Sequence, residues 1–101
     1  MESKNYQCSV AIQVLPKADD KKLIEIVDKV IDYIRSTGQR FIVGPFETTI
    51  EGDFDPLMDI VRECQLICIR EGAPQVMSYI KIAYSPGAGV WSIEDKIEKH
   101  R

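Results

Sequence analysis

Hydrophobic and polar residues alternate from Cys8 to Leu15. Cys8, Val10, Ile12 and Val14 fall on one side and Ser9, Ala11, Gln13 and Leu15 on the other. A period of two predicts a strand, which Pro16 ends. Leu23, Val27, Val30 and Ile34, with Ile24 and Ile31 beside them, then recur at helical spacing. Asp19 or Asp20 is placed to accept from the first free N–H groups of that helix, and Gly38 stands where its C-terminus calls for positive φ. Two short strands follow, Arg40 to Val43 and Phe46 to Glu51, and the brief Gly44-Pro45 link between them predicts an antiparallel hairpin. Asp55 before Pro56 reads as the N-cap and first position of a second helix carrying Leu57, Ile60, Val61, Cys64, Ile67 and Cys68, closed by Gly72 and Pro74. Alternation returns from Val76 to Tyr84 for a fourth strand. Beyond the Pro86-Gly87-Ala88-Gly89 loop, Ser92 with Asp95 resembles a capping box opening a short last helix.

The predicted order is β-α-β-β-α-β plus a terminal helix, and the compact arrangement this order most readily adopts is a ferredoxin-like α+β sandwich. One domain spans residues 1–101, with its ordered core expected at about 6–98. Both helices should cover one sheet face, above a floor of Val10, Ile12, Val14, Ile80 and Ile82. The other face would carry Ser9, Ala11, Gln13, Thr49, Glu51, Met77, Tyr79 and Lys81. That face mixes small, hydroxyl, amide and charged groups with Met77 and Tyr79. It reads either as a partly solvated antiparallel sheet or, more in keeping with its apolar members, as a surface covered by a second subunit in a dimer or tetramer.

Composition narrows the classes. An apolar fraction of 45% and a charged fraction of 29% over 101 residues describe an ordinary globule able to bury a core without metals or disulfides. A net charge of −3 offers no general attraction to nucleic acid or anionic lipid. The Met1 to Asn5 segment lacks the apolar core of a signal peptide, and no run is long enough to span a bilayer, so a cytoplasmic location is expected. Cys8, Cys64 and Cys68 form an odd set without the spacing of a disulfide framework and are expected as free thiols.

The densest polar cluster is Glu47-Thr48-Thr49-Ile50-Glu51-Gly52. Its hydroxyls and the Glu51 carboxylate offer hydrogen bonds to an amine or a cation. In the expected fold this strand lies beside the first, bringing Ser9 and Gln13 near Thr49 and Glu51 as a small polar pocket. The plainer reading is that threonines suit strands and Glu51 is solvated at a strand end. Cys64 and Cys68 lie one helical turn apart but lack partners for a metal, and all three cysteines are expected to be packing residues. His100, the sole histidine, is poorly placed beside the chain end for nucleophilic catalysis. Gly87-Ala88-Gly89 lacks the spacing of a phosphate cradle. The Arg/Lys-Gly-aromatic signature of RNA-binding sheets is missing, and Tyr79 alone is a thin stacking platform.

The stretch Val43-Gly44-Pro45-Phe46-Glu47-Thr48-Thr49-Ile50-Glu51-Gly52 resembles the small thiamine-binding protein family, as do Ser9 to Pro16 as its first strand and Ser92 to Ile97 as its terminal helix. The resemblance implies a ferredoxin-like fold, dimers or tetramers assembled through sheet surfaces, and binding of thiamine or its pyrimidine moiety without turnover and without a cofactor. Carried onto this chain, the matching ligand residues are Ser9, Gln13, Thr48, Thr49 and Glu51. A thiazolium cation favours a carboxylate or an aromatic face, and an aminopyrimidine offers groups that Thr, Ser and Gln can meet. The rival readings are a structural or regulatory oligomerisation module with an empty sheet face and, further off, an enzyme using Glu51 as a base.

Overall fold

The computed structural model describes residues 6–99. Met1 to Asn5 and His100, on which two of the expectations above rest, lie outside the described residues. The elements run β1 (Cys8–Pro16), α1 (Asp20–Ser36), β2 (Arg40–Val43), β3 (Thr48–Gly52), α2 (Phe54–Arg70), β4 (Val76–Tyr84) and α3 (Ile93–Lys99). The strands form one antiparallel sheet in the order β2-β3-β1-β4, and α1 and α2 pack on one of its faces. This is the expected ferredoxin-like α+β fold.

Alternation in β1 places Cys8, Val10, Ile12 and Val14 on the helix side, where all four are buried. They meet Ile26, Val30 and Ile34 of α1, Leu57, Ile60, Cys64, Ile67 and Cys68 of α2, and Ile50 of β3 in a single core. Asp19 caps α1 by accepting from the Lys22 N–H at 2.9 Å, and Gly38 past its end adopts φ 76°. The hairpin turns where Gly44 donates its N–H to the Glu47 carbonyl at 2.9 Å. A Cβ on Gly44 would stand 2.9 Å from that same carbonyl oxygen, so the turn needs glycine for close approach.

Three local expectations are corrected. The N-cap of α2 is Asp53, two residues before Asp55, and its own side chain makes no cap bond. The Gln7 side chain accepts from the Phe54 N–H at 2.9 Å instead, so the cap arrives from the segment preceding β1 rather than from local sequence. β3 begins at Thr48 rather than Phe46, because the turn bond between Gly44 and Glu47 holds Phe46 and Glu47 in the turn. Ile82, expected in the core floor, pairs with Val10 yet is 49% exposed. It belongs to an edge strand whose Val76 and Ile80 still pack against the core, and helix cover gives out toward Ile82.

The three cysteines are buried free thiols inside this core. Burial pushes the Cys64 thiol up to about 12, with the neighbouring Cys68 and Glu63 adding to the effect, and burial also raises Cys8 and Cys68. Thiolate is the reactive form, so the thiols should be inert while the chain is folded. Iodoacetamide at neutral pH is expected to leave all three unmodified in the native protein and to alkylate all three in denaturant. Mass spectrometry reads the outcome, and rapid native labelling at Cys64 would contradict the burial. Replacing Cys64 and Cys68 together by Ala should lower stability and leave metal content unchanged.

Candidate ligand-binding site

The sheet face away from α1 and α2 is divided. At one end Leu15, Met77 and Tyr79 stand exposed, the last two at 51% and 58%. At the other end the chain returns after β4 and lays α3 over the sheet. Ser9 and Glu51, partners across β1 and β3, are buried there, Glu51 completely.

Glu51 is the anchor of that return. Its Oε2 accepts from the backbone N–H of Ile93, the first residue of α3, at 2.7 Å, and its Oε1 lies 3.7 Å from Nε of Arg40 on β2. Arg40 also pairs with Glu94. A carboxylate at a helix start satisfies an N–H that has no partner within the helix and meets the positive end of the peptide dipoles. Ser92 and Lys96 make the first backbone bond of α3, at 3.1 Å. The side chain of Asp95, the other half of the expected capping box, lies outside what the structure describes.

Beside α3 the open face holds a depression of about 310 Å³ lined by Ser9, Ala11, Glu47, Thr49, Lys81, Ile82, Ala83 and Lys96. Register explains the convergence: Ala11 on β1 faces Thr49 on β3 and Lys81 on β4. Lys81 reaches Glu47 at 3.4 Å, and Lys96 of α3 donates to the Ser9 hydroxyl at 3.3 Å. Ala11 leaves the middle of the floor open. The volume falls at the lower end of the range for small-molecule sites, about 300 to 1,000 Å³.

A second cavity of about 140 Å³ opens on the opposite side of the sheet, between α1 and the β2–β3 turn. Its lining includes Val27, Val43, Phe46, Glu47, Gln13 and Thr48. At that volume it is too small for a whole drug-sized ligand.

The five residues expected as one pocket are therefore distributed over three places. Ser9 and Thr49 share the outer depression. Thr48 is buried and pairs with Ile12, so alternation turns it to the helix side, where it lines the smaller cavity. Gln13 lines that smaller cavity too; it lies past the end of the β1–β3 ladder, which stops at Ile12, and pairs with Tyr79. Glu51 lies under α3. Sequence reasoning placed Lys81 on the right face without giving it a role, and it missed Lys96, whose approach depends on how α3 folds back. Among the described residues no group of three or more His, Cys, Asp or Glu is gathered as a metal site, and no helix is long and apolar enough to cross a membrane.

Fold and depression together define a class: single ferredoxin-like domains carrying a ligand-sized polar hollow on the open face of the sheet. The sequence profile of the thiamine-binding proteins matches residues 10–101, and the chain belongs to that family. It is 52% identical over 94 residues to a UPF0045 protein of Clostridium perfringens, covering 93% of this chain and 97% of the relative. Among solved structures, a DUF77 domain of unknown function from Bacillus cereus superposes with a TM-score of 0.86 at 38% identity, covering 100% of this chain and 96% of that one. A Thermotoga maritima protein provisionally described as acting in thiamine biosynthesis or salvage superposes with a TM-score of 0.81 at 36% identity, covering 93% of this chain and 98% of that one.

Proposed function

We propose that this chain is a small-molecule binding protein that takes thiamine, or its pyrimidine moiety, in the outer depression and does not turn it over. The observation that carries the reading is the depression itself, a ligand-sized hollow in a member of the thiamine-binding family. The Ser9 and Thr49 hydroxyls suit the amine and ring nitrogens of an aminopyrimidine, and Glu47 is the carboxylate at hand for a thiazolium cation. Binding without turnover is favoured at Ser9 by the group beside its hydroxyl. Lysine side chains are donors and not acceptors, so the Lys96 group beside Ser9 orients the hydroxyl without offering a base. The Leu15, Met77 and Tyr79 end of the same face supports self-association, since contiguous exposed apolar groups on a sheet favour burial against a second copy.

Calorimetric titration of the full chain with thiamine and with its pyrimidine fragment tests the reading, beside light scattering for the assembly. Saturable binding is expected. Thr49→Val, which removes a hydroxyl and keeps the shape, should weaken it by about 1 kcal/mol, roughly fivefold. Met77→Asp should dissociate the assembly, because the new charge would be buried without a partner. Absence of heat from either ligand at millimolar concentration would remove the thiamine reading, and a monomeric unmodified chain at micromolar concentration would remove the self-association.

A further inference from the structure

The outer depression holds more positive charge than a site for a bare cation needs. Two lysines, Lys81 from β4 and Lys96 from α3, converge on it against one lining carboxylate, Glu47. This happens in a chain whose net charge is −3, so the excess is local and opposite in sign to the molecule as a whole. A ligand carrying only a positive charge would meet like charges on two sides of the floor, at a cost that grows as water is displaced. We infer that the depression takes a phosphate-bearing ligand, with the Lys81 and Lys96 ammonium groups as partners of the phosphate oxygens and the Ser9 and Thr49 hydroxyls as further donors. The inference rests on the thiamine reading above and names the chemical form of the ligand that the site prefers.

The geometry supports it in three respects. Both lysines are only loosely engaged: Lys81 stands 3.4 Å from Glu47 with its side chain 76% exposed, and Lys96 stands 3.3 Å from the Ser9 hydroxyl. The exposed Lys81 pair with Glu47 is worth little and is readily exchanged for a doubly charged anion. The two lysines also come from different elements, Lys81 from β4 and Lys96 from α3, and both line the same depression. Finally, Lys96 is placed by buried chemistry. The bond from Ile93 to Glu51, helped by the Arg40 pair with Glu94, sets the start of α3 one turn before Lys96. Glu47, freed from Lys81 when phosphate arrives, would face the cationic part of the same ligand.

The shared chemistry is phosphate, whether esterified to the heterocycle or free in solution, and calorimetry separates the sources. The probes are thiamine, thiamine monophosphate and inorganic pyrophosphate, titrated into the full chain at low and high salt. The same titrations are run on Lys81→Gln/Lys96→Gln and on the charge-preserving Lys81→Arg/Lys96→Arg, each with a thermal melt. Both lysines lie at the surface, so the variants should melt like the parent. Thiamine monophosphate is expected to bind at least about tenfold tighter than thiamine, as charge-assisted hydrogen bonds allow. That advantage should shrink in high salt, vanish in the double Gln variant and persist in the double Arg variant. Equal affinity for thiamine and its phosphate, or an advantage that survives in the Gln variant, overturns the inference and leaves the thiamine reading standing. Lysine-dependent binding of pyrophosphate with no heat from thiamine or from its phosphate keeps the anion site and removes the thiamine reading. Silence from all three probes overturns both.

Discussion

Glu51→Ala is expected to release α3 from the sheet and with it the ordered wall of the depression. The carboxylate is wholly buried, accepts from the Ile93 N–H and lies beside Arg40. Truncation leaves that N–H without its acceptor, opens a void under the helix and removes the negative charge beside the guanidinium. Losing one partner of a buried charged pair costs about 3 to 5 kcal/mol, and the lower part of that range is expected here because Arg40 keeps its pair with Glu94 and is partly solvated. The loss should be local at first. Hydrogen exchange should show the amides from Ile93 to Ile97 unprotected while those of β1 and β3 stay slow. Since α3 carries Lys96, ligand affinity should fall together with that protection. Glu51→Gln should keep the shape and part of the bond to Ile93 and give an intermediate result. Should α3 amides exchange at the parental rate in Glu51→Ala, the carboxylate is not what holds the helix down.

Ile50→Ala, one residue earlier, should act quite differently. Ile50 is fully buried on the helix side, paired with Val10 on β1 and Phe41 on β2. Its truncation removes apolar contact from the centre of the core and leaves a cavity that a sheet held on both sides of β3 cannot close. A loss of about 3 to 4 kcal/mol is expected, the middle of the range for such changes. Because Ile50 belongs to the common core, the whole domain should lose stability in one transition, with denaturant midpoint lowered and m unchanged. The outer depression is lined from the other face, so binding measured well below the melting temperature should be close to parental. A strongly weakened affinity in folded Ile50→Ala would mean the two faces are coupled through β3.

The contrast between these neighbours shows which features were legible along the chain. A strand turns each residue to the face opposite its neighbour, so the parity of Ser9, Ala11, Thr49 and Lys81 followed from alternation alone, as did the burial of Val10, Ile12 and Val14. The element order determined the sheet, because short links and helix spacing leave few compact arrangements for βαββαβ. Thr48 illustrates a limit that parity itself would have resolved. Grouping it with Thr49 followed the composition of the cluster, and alternation separates them.

Other features rest on contacts between residues far apart in sequence, which no local pattern encodes. The cap of α2 comes from Gln7 across 47 positions, the acceptor at the start of α3 from Glu51 across 42, and the Lys96 contact with Ser9 across 87. Ile82 has the periodicity of a core residue and is exposed because the helices stop covering edge strand β4 beyond Ile80, a matter of how the layers pack. Periodicity, capping residues and turn glycines determined the elements, their faces and the fold, since these act over a few bonds of chain. The tertiary structure alone decided that α3 folds back over the open face, that Glu51 serves that helix, and that Lys81 and Lys96 line one depression with Ala11. Each of those depends on where distant segments pack, and burial and charge pairing across the assembled sheet set that placement.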